Sequence, residues 1–187
     1  AYHLNVPYSS EQFIEATQEL INTNHIDSCY IRPLIYSGYG AMGIVPKQNP
    51  VDIIIAVWGW GSYLGDEGLK NGIHCTMSPW QKTSNSAMPS TAKSCANYAN
   101  SFLAKHEALQ KGFDEAILLN SKGTVAEGPG ENIFVIKDGA VRTPPVSDDV
   151  LRGITRDTMI ELLKQNKISI KEESITLDEL LSADELF

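Results

Sequence analysis

Apolar residues recur along this chain in two rhythms, a helical one and a strict alternation, and the switches between them outline a mixed α/β fold. Ser9 and Gln12 form a capping-box pattern. Behind them Phe13, Ile14, Leu20 and Ile21 fall on one helix face, with only Ala16 out of step. Residues 29–37 then alternate, with Tyr30, Arg32, Leu34 and Tyr36 on one side and Ile31, Pro33 and Ile35 on the other. Pro33 confines this predicted strand to an edge or a bulge, because proline cannot donate to a ladder. A glycine-punctuated loop covers 38–46, and the β-branched run 51–57 predicts a buried strand.

Composition changes at 58–65, where Trp58, Trp60 and Tyr63 stand among glycines. A domain boundary is placed there. Residues 1–57 read as the C-terminal part of a small domain, 58–70 as an interdomain loop, and 71–187 as most of a larger domain. The aromatics suit an exposed loop and a pocket lining equally. Beyond them, 73–77 is a short strand. From 94 to 111 the stripe Cys95, Tyr98, Ala99, Phe102, Leu103 and Leu109 predicts one core-facing helix face, stopped by Gly112, with His106 as a core or boundary histidine. Strands over 113–120 and 132–136 continue as a meander through a turn at Ser121-Lys122-Gly123 and a hairpin turn at Lys137-Asp138-Gly139. A helix is predicted over 150–166, with Ile154, Met159, Leu162 and Leu163 as its main apolar residues, then a strand at 167–171. Thr176 and Glu179 cap a short last helix, and 183–187 read as the start of a strand.

The 187 residues, 42% of them hydrophobic, are enough for one large domain or two small ones with a proper core. A net charge of −8 gives no electrostatic support to a nucleic-acid or anionic-membrane partner. Three widely spaced cysteines, Cys29, Cys75 and Cys95, form neither a disulfide ladder nor a zinc pattern, so a reducing cytoplasm is the expected compartment and no metal site is expected. The longest apolar run, 53–60, is too short to span a bilayer, and no signal-peptide pattern follows Ala1. The chain starts without Met, and both ends read as cut, so a fragment is expected.

Four places carry candidate chemistry. Lys93 is the only charged residue from Thr83 to Asn100. A lysine at a helix start is commonly an ordinary surface charge, but an amine in neutral, poorly solvating surroundings is also a candidate nucleophile or proton shuttle. Glu127-Gly128-Pro129-Gly130-Glu131-Asn132 reads either as a solvated turn or as a constrained bend that fixes a carboxylate inward, where it could hold a proton on a ring nitrogen. Gly153-Ile154-Thr155 opens a helix with free N–H groups and a hydroxyl, which suits a phosphate. Tyr30 and Arg32 share a strand face, either solvated or gripping a carboxylate. A lysine, a carboxylate, a phosphate cup and a carboxylate grip are together the parts of a pyridoxal-phosphate site.

The order of these motifs is similar to that of branched-chain amino-acid aminotransferases, which are fold-type IV pyridoxal-phosphate enzymes. The residues that carry the likeness are Tyr30-Ile31-Arg32-Pro33-Leu34, Met42-Gly43, Trp60, Tyr63-Leu64-Gly65, Thr91-Ala92-Lys93, Asn97-Tyr98, the bend from Glu127 to Asn132, and Gly153-Ile154-Thr155-Arg156-Asp157. The resemblance runs the whole length. It implies a small α/β domain and a larger domain built on a β-meander or barrel with flanking helices. It implies transfer of the amino group of leucine, isoleucine or valine to 2-oxoglutarate on pyridoxal 5'-phosphate. Lys93 would hold the cofactor and shuttle a proton, with its amine tuned by burial, while Glu127 would meet the ring nitrogen and Tyr98 the phenolic oxygen. Ile154 and Thr155 would hold the phosphate. Tyr30 and Arg32 would handle carboxylates, and Trp60 and Tyr63 would shape the side-chain pocket. Met42 and Gly43 would reach across a dimer interface, so a homodimer or higher homo-oligomer is implied.

D-amino-acid and amine transaminases and aminodeoxychorismate lyase share the fold and stay open as alternatives, as does a non-catalytic binding protein. Lys82 stands where many relatives have Arg, and Arg152 where many have Pro. Neither is a motif residue, and both are given little weight. The family's phosphate-binding arginine would lie before Ala1, and a Thr-Ala phosphate contact after Phe187. The expectation is therefore that these 187 residues alone bind cofactor poorly.

Overall fold

The computed structural model describes residues 1–61 and 65–187, and its chain divides into two compact units, Ala1–Asp66 and Glu67–Phe187. In the first unit, helix α1 (Ser10–Thr23) starts at Ser9, whose side chain accepts from the Gln12 N–H while Gln12 reaches back to the Ser9 N–H. No residue of α1 is buried, and Ile14 of its predicted inner face is exposed. Strands β1 (Tyr30–Ser37) and β2 (Val51–Trp58) pair antiparallel in unbroken register from Tyr30↔Trp58 to Ser37↔Val51. Pro33 sits opposite Ile55 without a bulge, as a two-stranded sheet makes every strand an edge. For the same reason β2 is half-exposed rather than buried as its β-branched run suggests. Asn49 holds the loop between the strands, accepting from Ala41 N and donating to Gly38 O.

Helix α2 (Gly65–Asn71) crosses from the first unit to the second. The second unit carries the larger share of the core. Strand β3 (Cys75–Met77) runs parallel to β4 (Glu115–Ile117). Between them lie a 3₁₀ turn (Cys95–Asn97) and helix α3 (Tyr98–Gln110). A four-stranded sheet has the order β7-β6-β5-β8, formed by β5 (Val135–Lys137), β6 (Ala140–Thr143), β7 (Ile170–Glu172) and β8 (Glu185–Leu186). The β5–β6 hairpin turns at Asp138 and Gly139, both with φ near +50 to +75°, which is the primed geometry that matches strand twist. Helix α4 (Ile154–Gln165) packs Ile160, Met159 and Leu163 against Phe134 and Val141. Helix α5 (Leu177–Leu181) has the Thr176–Glu179 capping box that its sequence predicts.

Helix α3 buries the opposite face from the one its large residues suggest. Its buried residues are Ser101, Ala104 and Ala108, and the two alanines pack against Ala116 and Leu118. Tyr98, Phe102, Leu103 and Leu109 are exposed, as are Cys95, Ala99 and His106, which stacks on Phe102. Small side chains let the helix backbone approach β4 closely, and the bulky stripe is left outward by the same geometry. On α4 the main buried apolar residue is Ile160, and Ile154 and Leu162 are exposed. Arg156 is buried beside it and donates to Pro144 O and Glu172 Oε2, both at 2.9 Å, tying α4 to β7.

Ala104→Leu should overfill the α3–β4 contact and lower unfolding stability of the intact protein by about 1–3 kcal/mol, read from a denaturant midpoint, whereas Leu103→Ala on the exposed face costs less. The Glu179 carboxyl accepts from Thr176 N, Thr176 Oγ1 and Arg142 Nη1, and these contacts hold its pKa down to about 2. A carboxylate lowered on folding adds stability that is fully present above its unfolded value of about 4.3 and is lost as pH falls through about 2. Glu179→Gln therefore costs up to about 1 kcal/mol at neutral pH, a figure reduced for its partial exposure, and the cost shrinks toward pH 2. Thermal midpoints at the two pH values check the sign.

Candidate active site

The second unit contains a cavity of about 580 Å³ whose walls come from four stretches far apart in sequence. They are Lys82, residues 90–101, the bend at 127–132, and the entry to α4 at 151–156. Lys93, Tyr98, Glu127, Ile154 and Thr155 all line it. The Lys93 turn is built by side chains within it. Asn97 donates to Pro89 O and Ala92 O, Ser94 accepts from Ala96 N, and Ser90 N donates to Asn85 Oδ1. Asn85 N in turn donates to the buried Asp149, which joins this turn to the segment leading into α4. Lys93 Nζ stands 5.6 Å from the centre of the Tyr98 ring. Lys93 is exposed, which corrects the expected burial. Its neighbours are neutral but small, and serine, threonine and alanine lack the bulk to cover an ammonium group.

Glu127 is only 4% exposed, so the bend points its carboxylate inward. Its main chain is fixed by Leu118 N donating to Glu127 O, and Gly128 N closes the bend by donating to Glu131 O. The carboxylate has three partners. Lys82 Nζ lies 2.6 Å from Oε1, and Asn132 Nδ2 and Leu151 N each donate to Oε2 at 2.9 Å. Burial pushes this carboxyl above the usual carboxylate range, while Lys82 first, then Leu151 N and Lys93, pull it back. Glu131 is also raised, by burial and by the nearby Glu115.

Asn132 also donates to Leu151 O, so one amide joins the bend to the α4 entry. Gly153 permits that approach, since a Cβ there would lie 2.3 Å from Asn132 Oδ1. Gly153 is the N-cap of α4 and supplies no capping side chain, so this helix start reaches the cavity wall without a side-chain cap.

Tyr30, Arg32 and Trp60 lie in the first unit as a cluster of their own. Arg32 Nη2 donates to Tyr30 OH at 3.1 Å, and its guanidinium sits over the rings of Tyr30 and Trp58. Tyr30 packs on Trp60 with ring centres 4.7 Å apart. Met42 and Gly43 are in the exposed loop between β1 and β2. Tyr63 lies outside the described residues. Among those residues no cluster of histidine, cysteine and carboxylate side chains could hold a metal, and no helix is long and apolar enough to cross a membrane. All three cysteines are free. Lys82 is the site residue that sequence reasoning passes over. Its partner lies beyond α3 and β4, and nothing in its immediate neighbours signals an inward amine.

The family model described as amino-transferase class IV matches residues 1–187. A branched-chain-amino-acid aminotransferase of Pseudomonas aeruginosa is 42% identical over 185 residues, covering 99% of this chain and 60% of that protein. The crystal structure of the Escherichia coli branched-chain amino acid aminotransferase superposes with a TM-score of 0.97 at 40% identity, over 100% of this chain and 62% of that one. A third branched-chain amino acid aminotransferase, solved in complex with N-(5'-phosphopyridoxyl)-L-glutamate, superposes at 0.89 with 37% identity, over 100% of this chain and 60% of that one. The chain thus spans about 60% of the length of the curated relatives it matches. It belongs to the class IV aminotransferase family, whose fold it carries across all 187 residues.

Proposed function

We propose that this chain is the lysine-bearing part of a transaminase that moves the amino group of leucine, isoleucine or valine to 2-oxoglutarate with pyridoxal 5'-phosphate. The observation that carries the reading is the convergence of an amine, a buried carboxylate, a phenol and an uncapped helix start on one cavity. Its volume of about 580 Å³ suits a small phosphorylated ring. The donor set fits the cofactor's groups, and the close seat of Asn132 on Gly153 keeps carboxylate and helix start in fixed relation. The relatives' names support the branched-chain substrates, and the relative's complex with the phosphopyridoxyl-glutamate adduct supports glutamate as one partner of the exchange.

When bound, the cofactor supplies an electron-accepting ring that lowers the cost of removing a proton from the substrate Cα. This chain's residues would supply much of the rest. Lys93 Nζ would hold the cofactor between turnovers and, as a free amine, would carry the proton taken from the substrate Cα across to the cofactor's C4′ carbon. Glu127 would accept from the ring N–H and so favour the cationic ring. Tyr98 would donate its hydroxyl to the phenolic oxygen, and the Ile154 and Thr155 N–H groups with Thr155 Oγ1 would hold the phosphate. Arg32, steadied by Tyr30 and Trp58, reads a carboxylate, and Trp60 and Tyr63 favour an aliphatic side chain. Two further parts of the proposal are a homo-oligomer in which the Met42-Gly43 loop serves a neighbouring copy, and a cytoplasmic setting, which the free thiols suit.

Borohydride reduction of the intact, cofactor-loaded protein followed by peptide mapping should place the label on Lys93, and label on another lysine overturns the assignment. With glutamate as donor, the 2-oxo acids of leucine, isoleucine and valine should be the best acceptors in a panel. A preference for D-amino acids, amines or a chorismate-derived substrate would instead select another class IV activity.

A further inference from the structure

Two lysine amines line the same cavity, and their surroundings divide the work between them. Lys93 is exposed, while the Lys82 side chain is 9% exposed and ends 2.6 Å from Glu127 Oε1. The Lys82 backbone is held on both sides. Its N–H donates to Leu119 O, and Asn100 accepts from Thr83 N and donates to Gln81 O. Lys82 is thus placed by α3 and by the stretch beyond β4, not by a mobile loop. The lone pairs of Glu127 are unequally committed. Oε2 already accepts from Asn132 Nδ2 and Leu151 N, which fills it, whereas among the described residues Oε1 faces Lys82 alone and keeps one acceptor site.

We infer that Lys82 is a positioning residue of the reaction, which keeps Glu127 ionised in its buried seat and presents the open lone pair of Oε1 to the cofactor's ring N–H. This rests on the pyridoxal-phosphate reading above. A carboxylate so far from water needs a charged partner to remain ionised. Protonated, it would lose the negative charge that favours a cationic ring. The other charged groups facing the cavity do not replace Lys82. Lys93 is exposed and is required for the chemistry. Arg152 is engaged by Asp157 at 2.8 Å, Arg156 by Glu172 at 2.9 Å, and Glu131 is of the wrong sign. Lysine, as a compact single-point donor, leaves room on the oxygen it holds, which a forked guanidinium would occupy more fully.

The test combines a titration with kinetics in the intact protein. The Glu127 carboxyl is followed by ¹³C NMR without cofactor, its signal assigned by loss in Glu127→Gln. In Lys82→Met it should titrate at least about one pH unit higher than in the parent, and Lys82→Arg should restore it at least in part. With cofactor, Lys82→Met should lower kcat by about tenfold or more and change KM for the amino donor by less than about threefold. In a Glu127→Gln background, removing Lys82 should change kcat by less than about twofold, because no charge is left to hold. An unchanged Glu127 titration in a folded Lys82→Met protein, or a full loss of kcat from Lys82 removal in the Glu127→Gln background, overturns the inference. Should Lys82→Met not fold, Lys82→Gln carries the same readouts. Borohydride label away from Lys93 in the parent would defeat the functional reading separately, while the titration still judges the Lys82–Glu127 coupling.

Discussion

A carboxylate buried on the inside of a glycine-proline-glycine bend must be satisfied from several directions, and the second unit is arranged so that Glu127 is. Lys82 comes from the stretch after β3, Asn132 from the far side of the bend, and Leu151 N from the entry to α4. Two of these partners are themselves anchored, Lys82 through Leu119 and Asn100 and Asn132 through its close seat on Gly153. The cost of taking a charge out of water is what makes such convergence necessary. It also fixes where the walls of the cavity stand relative to the Lys93 turn, which Asp149 and Asn85 tie to the same α4 entry.

Two amines in one cavity raise the question of which one reacts. Their environments answer it in electrostatic terms. The Lys82 amine is committed to the buried Glu127 carboxylate at 2.6 Å, and a nucleophile has to leave such a partner before it can attack a carbonyl. Lys93 is exposed, flanked by small neutral side chains, and its amine lies near the Tyr98 ring rather than against a carboxylate. These surroundings favour Lys93 as the lysine of the proposed chemistry.

Local devices are plain in the sequence, and long-range ones are not. The capping boxes at Ser9 and Thr176, the Asp138-Gly139 turn and the edge placement of Pro33 follow from neighbouring residues alone, and each is present. The inward face of α3 is hidden because hydrophobic size points to the wrong side, whereas close packing against β4 selects Ala104 and Ala108. The half-exposure of β2 is hidden too, because a β-branched run does not reveal how many strands will flank it. Within the site, the glycine-rich bend and the Gly153 helix start are legible as local shapes. Lys82 is not, since its role exists only through a partner across the fold.

The cofactor is expected between Lys93 and Glu127, with Lys82 behind the carboxylate. A crystal structure of the intact protein with pyridoxal 5'-phosphate tests that placement most directly. It should show continuous density from Lys93 Nζ to the cofactor, the ring nitrogen within hydrogen-bond distance of Glu127 Oε1, and Lys82 still on that oxygen. Density joined to Lys82, or a ring nitrogen facing away from Glu127, would contradict it.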